Sequence, residues 1–205
     1  MSEYGENEVM SLNRIITIAV ITLALTLSAN AHATTSQSQE AALMRTVQSF
    51  YGWVLKHGEE TRQQFEPRIT QVQGNTRLVL DLSSLDKYSD AIIASGCFAP
   101  EFRLQVAHFY ERSAQDLHKY SQSDFDEMAK DGRGPLIDSE DTDVFFCSQE
   151  AEYTPTYIAG AHLKKADIKG DTATAVVVTP DKWKNYFTFR KIKDKWLISG
   201  FCLYK

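Results

Sequence analysis

Apolar residues at Leu43, Val47, Phe50, Tyr51, Val54 and Leu55 recur at intervals of mostly three and four, the spacing that keeps side chains on one face of an α-helix. Gly58 predicts the end of that helix, because glycine adopts the left-handed conformation at little cost. From Glu59 to Asn75 the chain is polar and carries Pro67 and Gly74, which predicts a connection, and Arg77 to Leu82 alternates weakly as a short strand. Ser83 is placed to cap a second helix starting near Leu85, with Asp86 in the first turn where negative charge complements the helix dipole. That helix should end by Gly96. Pro100 suits the first turn of a third helix, whose Phe102, Val106, Phe109, Tyr110, Ser113, Leu117 and Tyr120 share one face.

The period then changes. Ser121 to Asp143 is acidic and contains Asp131-Gly132-Arg133-Gly134-Pro135, predicting a long loop with at most a helical turn from Phe125 to Lys130. Val144 to Ser148, Tyr157 to Ile168, Thr172 to Val178, Tyr186 to Ile192 and Trp196 to Leu203 are rich in β-branched and aromatic residues. Lys169-Gly170-Asp171, Thr179-Pro180-Asp181 and Lys193-Asp194 separate the last four as hairpin turns. Three N-terminal helices followed by strands predict an α+β fold, with the helices packed on one face of a curved antiparallel sheet of four to five strands.

The first thirty-three residues follow another logic. Asn13 and Arg14 precede an uncharged apolar run from Ile15 to Leu27, which ends in Ser28-Ala29-Asn30-Ala31-His32-Ala33, two overlapping small-x-small patterns. This predicts an export signal, cleaved near Ala31 or Ala33, with Met10 as the true start because Glu3, Glu6 and Glu8 have the wrong sign for its basic end. This apolar core spans 13 residues, short of the roughly 20 a spanning helix needs, and no second stretch follows. The expectation is a periplasmic protein that does not span the membrane. Leu27-Ser28-Ala29 is similar to the start of a lipoprotein box, but Asn30 stands where the acylated cysteine would be. Residues 34–205 are expected to form a single domain, long enough for one core.

Charge divides unevenly along that domain. Residues 34–162 hold 11 Lys and Arg against 20 Asp and Glu, whereas residues 163–205 hold 10 against 4. Such asymmetry can steer a partner or hold the two parts together. Export removes the basic strands from nucleic acid, so none is expected as a partner. Cys97, Cys147 and Cys202 permit one internal disulfide and leave one thiol over, with the pairing open. Their spacing fits neither a zinc knuckle nor a Cys-x-x-Cys pair.

Candidate chemistry is sparse. Asp138, Glu140, Asp141 and Asp143 crowd six residues, lack the glycine and distal Glu of a calcium loop, and are better suited to pairing with Lys and Arg of a basic partner. His108, Glu111, Gln115 and His118 share a helix face that points away from the apolar stripe, toward water. His57 and His162 have no neighbouring Asp, Cys or Ser arranged as nucleophile and base, and no glycine-rich phosphate loop occurs. No catalytic residue, metal or cofactor is therefore expected. Tyr51, Trp53, Tyr186 and Trp196 are candidates to line a pocket.

The order of elements resembles the nuclear transport factor 2-like cone fold. Phe50-Tyr51-Gly52-Trp53, Leu85 to Tyr88 followed by Ser95-Gly96-Cys97-Phe98, Asp141-Thr142-Asp143-Val144-Phe145-Phe146-Cys147-Ser148-Gln149-Glu150 and Lys195-Trp196-Leu197-Ile198 resemble domain of unknown function family 3828, over roughly Leu43 to Tyr204. Val144 replaces a proline often seen there, and Cys147 and Cys202 are not part of the pattern. The resemblance implies an exported bacterial protein or lipoprotein of undetermined activity, and a cone fold can keep a partly hollow core that serves as a pocket. Some proteins of this fold are periplasmic immunity proteins that occlude a toxin, others bind small apolar ligands in the cone, and others are hydrolases or isomerases. The expectation is the first of these, a non-catalytic protein that binds a toxin, with a homodimer as a further possible assembly.

Overall fold

The computed structural model describes residues 37–71, 78–130, 145 and 154–202. The chain divides into two units, Met1–Ala41 and Ala42–Lys205. Of the first, only residues 37–41 are described, and they are helical. The export signal lies outside the described residues, as do Asp138, Glu140, Asp141, Asp143 and the strand expected from Val144 to Ser148, of which only Phe145 is described, in a turn.

The second unit is α+β. The helix α1 (residues 37–53) does not stop at Gly58. It widens into a π-helical turn over Val54–Gly58 and runs on as α2 (Glu59–Phe65), so the connection expected there is helical. Gly58 is right-handed, with φ −60° and ψ −46°. Its lack of a side chain serves packing instead: a Cβ would meet Val54 Cγ1 at 2.9 Å and the Phe145 ring at 3.7 Å. A short hairpin follows, β1 (Arg68–Gln71) against β2 (Leu78–Asp81), antiparallel.

The second and third expected helices are present as α3 (Leu85–Ala94) and α4 (Phe102–Leu117). Ser84 rather than Ser83 occupies the cap of α3, and Gly96 beyond its end is left-handed at φ 69°. On α4, Phe102, Val106, Phe109, Tyr110 and Leu117 are buried as the periodicity requires. Two further helices replace segments expected to be loop and strand. In α5 (Gln122–Lys130), Ser121 caps the first turn: the Asp124 N–H donates to Ser121 Oγ at 3.3 Å, and the Ser121 N–H donates back to Asp124 Oδ2 at 2.6 Å. In α6 (Pro155–Gly160), Pro155 sits in the first turn and the Tyr157 N–H donates to Thr154 Oγ1 at 3.2 Å, which overrides the strand propensity of Tyr157 and Ile158.

The remaining strands form one antiparallel sheet in chain order, β3 (His162–Lys169), β4 (Thr172–Val178), β5 (Lys184–Ile192) and β6 (Lys195–Phe201). Lys193 and Asp194 both have positive φ, 47° and 62°, the geometry of a two-residue hairpin turn that follows the strand twist. Register shifts at Leu163/Lys165 and Thr188/Phe189 bend the sheet. The core lies between its inner face and the helices: Phe187 stacks on Phe201 at 4.4 Å, and Phe50 of α1 meets Phe201 edge-on at 5.2 Å. Two polar ties fix α1 to the sheet, Thr46 Oγ1 to the Trp196 carbonyl at 2.9 Å and Asn185 Nδ2 to the Tyr51 hydroxyl at 2.8 Å. Among the described residues, no helix is long and apolar enough to cross a membrane.

No disulfide is complete among the described residues. Cys97 is a buried free thiol, and burial pushes its pKa up. Cys202 is disulfide-bonded.

Candidate binding site on the outer face of the sheet

Strict alternation gives the sheet two different faces. On β4, Ala173, Ala175 and Val177 are buried in the core while Thr172, Thr174 and Val176 face away from it; on β5, Asn185, Phe187 and Phe189 point inward and Lys184, Tyr186, Thr188 and Arg190 outward. The register aligns the outward residues into rows. Lys165, Val176 and Tyr186 form one, and Asp167, Thr174, Thr188 and Gly200 form the next.

A cavity of about 550 Å³ lies over these rows. Gly200 contributes no side chain to its lining, and the Tyr186 ring forms a wall that is 60% exposed. Gln105 of α4 closes the β6 side. It is placed there by the segment before α4, which runs along the β6 edge: Ile198 N–H donates to the Cys97 carbonyl at 2.9 Å and Ala99 N–H to the Ile198 carbonyl at 2.8 Å. The Glu101–Arg190 ion pair, 3.0 Å, holds the start of α4 against β5. A shallower depression of about 880 Å³ beside it shares Gln105, Thr188 and Ser199.

Few polar groups enter this mostly apolar space. The Ser199 hydroxyl donates to Thr188 Oγ1 at 3.2 Å, and Thr188 Oγ1 donates to the Gly200 carbonyl at 3.4 Å. Gln105 Oε1 is buried and has no hydrogen-bond partner. Leaving such an acceptor unmet costs about 1–3 kcal/mol. Asp167 is neutralised by Lys169 at 2.8 Å, and that hydrogen bond holds the Lys169 ammonium above its ordinary pKa. Lys165 has no ion-pair partner among the described residues, so the β3 end of the cavity is positive. Ser199 is bonded to another hydroxyl and not to a base, so the arrangement is suited to holding a molecule.

The four residues expected to line one pocket are not brought together. Tyr51 and Trp196 are buried in the core, at 1% and 3% exposure. Trp53 is half-buried against Phe145, with ring centres 6.1 Å apart. Tyr186 alone lines the cavity, on the face opposite Tyr51. Parity would have separated them, since Tyr186 alternates with the inward Phe187 and Asn185. The same alternation points to Thr174, Thr188 and Lys165. Gln105 carries no such signal, because only the path of Cys97–Ala99 along β6 brings it there. His108, Glu111, Gln115 and His118 are all exposed. Among the described residues, no group of three His, Cys, Asp or Glu is placed to hold a metal.

No family model, no curated protein and no solved structure matches this chain.

Proposed function

We propose that this chain is an exported, non-catalytic binding protein that occludes another protein through the outer face of its four-stranded sheet, in the manner of an immunity protein facing a secreted antibacterial toxin. The observation that carries the reading is the character of that face. Tyr186 on that face is 60% exposed, in one row with Lys165 and two positions from Lys184, and Trp183, just before β5, is 48% exposed. Tyrosine, tryptophan and cationic side chains on an open surface are the groups that anchor protein interfaces, and complementary charge speeds the encounter. The partner surface would be acidic where it meets the sheet. The resemblance to family 3828 and its cone fold supports the export and immunity parts of the reading. In it, Asp138, Glu140, Asp141 and Asp143 supply a second contact, to a basic region of the same partner.

Pull-down from envelope extract with the intact protein and with a Trp183→Ala/Tyr186→Ala double variant tests this. The intact protein should retain one partner whose growth-inhibiting activity it suppresses, and the double variant should bind it at least 100-fold more weakly, as loss of two interface anchors of about 2 kcal/mol each would cause. Equal retention by both forms, or a retained protein with no toxicity to suppress, would sink the reading.

A further inference from the structure

We propose that the cavity on the outer sheet face is a binding site for a small amphipathic anion, with a flat apolar body, one acidic group and a hydrogen-bond donor at the far end. Three features of the cavity define that chemistry. Its volume of about 550 Å³ is of the size that encloses small organic ligands. Its floor and wall are Val176, Gly200 and the Tyr186 ring, which offer a flat apolar surface for a planar body. Its two ends are chemically distinct. At the β6 end, Gln105 Oε1 is a buried acceptor with no donor among the described residues, and a ligand N–H or O–H completes it. At the β3 end, Lys165 has no ion-pair partner among the described residues while Asp167 beside it is already taken by Lys169, so the free charge there is positive. Lys165 on β3 stands three strand spacings of about 4.8 Å each from β6, beside which Gln105 closes the cavity, so a ligand that meets both uses the reach of their long side chains. Thr174, Thr188 and Ser199 between them supply hydroxyls that donate or accept.

Small probes read this cavity on the isolated chain, without a protein partner. 8-Anilinonaphthalene-1-sulfonate has the required parts: fused and pendant aromatic rings, one N–H and one sulfonate. N-phenyl-1-naphthylamine keeps the rings and the N–H and lacks the charge. Fluorescence titration of the intact protein should give saturable one-to-one binding of the sulfonate. Lys165→Gln should weaken the sulfonate about tenfold and leave the neutral amine unchanged, while Lys165→Arg restores sulfonate affinity. Gln105→Leu and Tyr186→Ala should weaken both probes. Backbone amide NMR should place the shifts at Thr174, Thr188 and Ser199, which separates the cavity from any other apolar surface. No saturable binding, binding indifferent to Gln105→Leu and Tyr186→Ala, equal weakening of both probes by Lys165→Gln, or shifts elsewhere would overturn the proposal. These titrations need no second protein, so their outcome is read apart from the retention or loss of a protein partner in the pull-down.

Discussion

Gly58 illustrates how a single position is read differently by sequence and by packing. Glycine after an amphipathic run signals a helix end, yet here the run continues because a π-helical turn absorbs one extra residue and turns the polar Glu59–Phe65 stretch into the next helix. The glycine is needed because a Cβ there would meet Val54 Cγ1 at 2.9 Å. Valine is stiff at χ1 within a helix, so the clash cannot be relieved by a rotamer change. Gly58→Ala should therefore destabilise the fold by about 1–3 kcal/mol despite alanine's better helix propensity, read as a lower urea midpoint with unchanged slope. A stabilised variant would mean that Val54 yields. The cysteines give a second expectation at this scale. Cys97 is buried with its thiol pKa pushed up, so it should resist alkylation in the native protein and react once unfolded. Peptide mapping without reduction should join Cys202 to Cys147, the cysteine left when Cys97 is free.

At the scale of elements, α5 depends on its capping residues. The Asp124 carboxylate accepts from the side chain and backbone N–H of Ser121, and these bonds hold its pKa below the ordinary 3.8. A depressed folded-state value means that the stabilisation is present above the unfolded pKa and disappears as pH falls through the folded one. Helical NMR shifts of α5 should therefore decay as pH falls from the ordinary 3.8 through the lowered folded-state value, ahead of those of α4, and Asp124→Asn should remove most of that dependence. The elements most legible in the sequence were those whose burial follows a strict period. Leu85–Ala94, Phe102–Leu117 and Thr172–Val178 fall where the apolar pattern put them, and the Lys193-Asp194 turn was marked by its composition. Helices Glu59–Phe65 and Pro155–Gly160 escaped because polar composition hid the first and aromatic composition disguised the second. Their causes, a π-turn upstream and a Thr154 cap with Pro155 behind it, are local geometries that period counting ignores.

For the whole molecule, the charge asymmetry along the sequence becomes an asymmetry between layers. Helices α2 to α5 carry nine Asp and Glu against five Lys and Arg, while strands β3 to β6 carry seven Lys and Arg against Asp167 alone. The apolar pattern could locate the sheet but not this polarity, which depends on which face of each strand looks outward. Lys165, Lys184 and Arg190 all do so. The net charge of the chain is −5, which taken alone predicts exclusion from a negatively charged surface. Retention is decided by the local field, though, because charges beyond a Debye length of about 10 Å are screened at moderate salt. The basic face should therefore bind a sulfonated cation-exchange resin at neutral pH and low salt and release it by about 0.2 M salt. Replacing Lys165, Lys184 and Arg190 together by Glu should abolish that retention, whereas reversing as many helix charges should not. Equal behaviour of the two triple variants would mean that net charge governs, and that the sheet presents no concentrated field to an acidic partner.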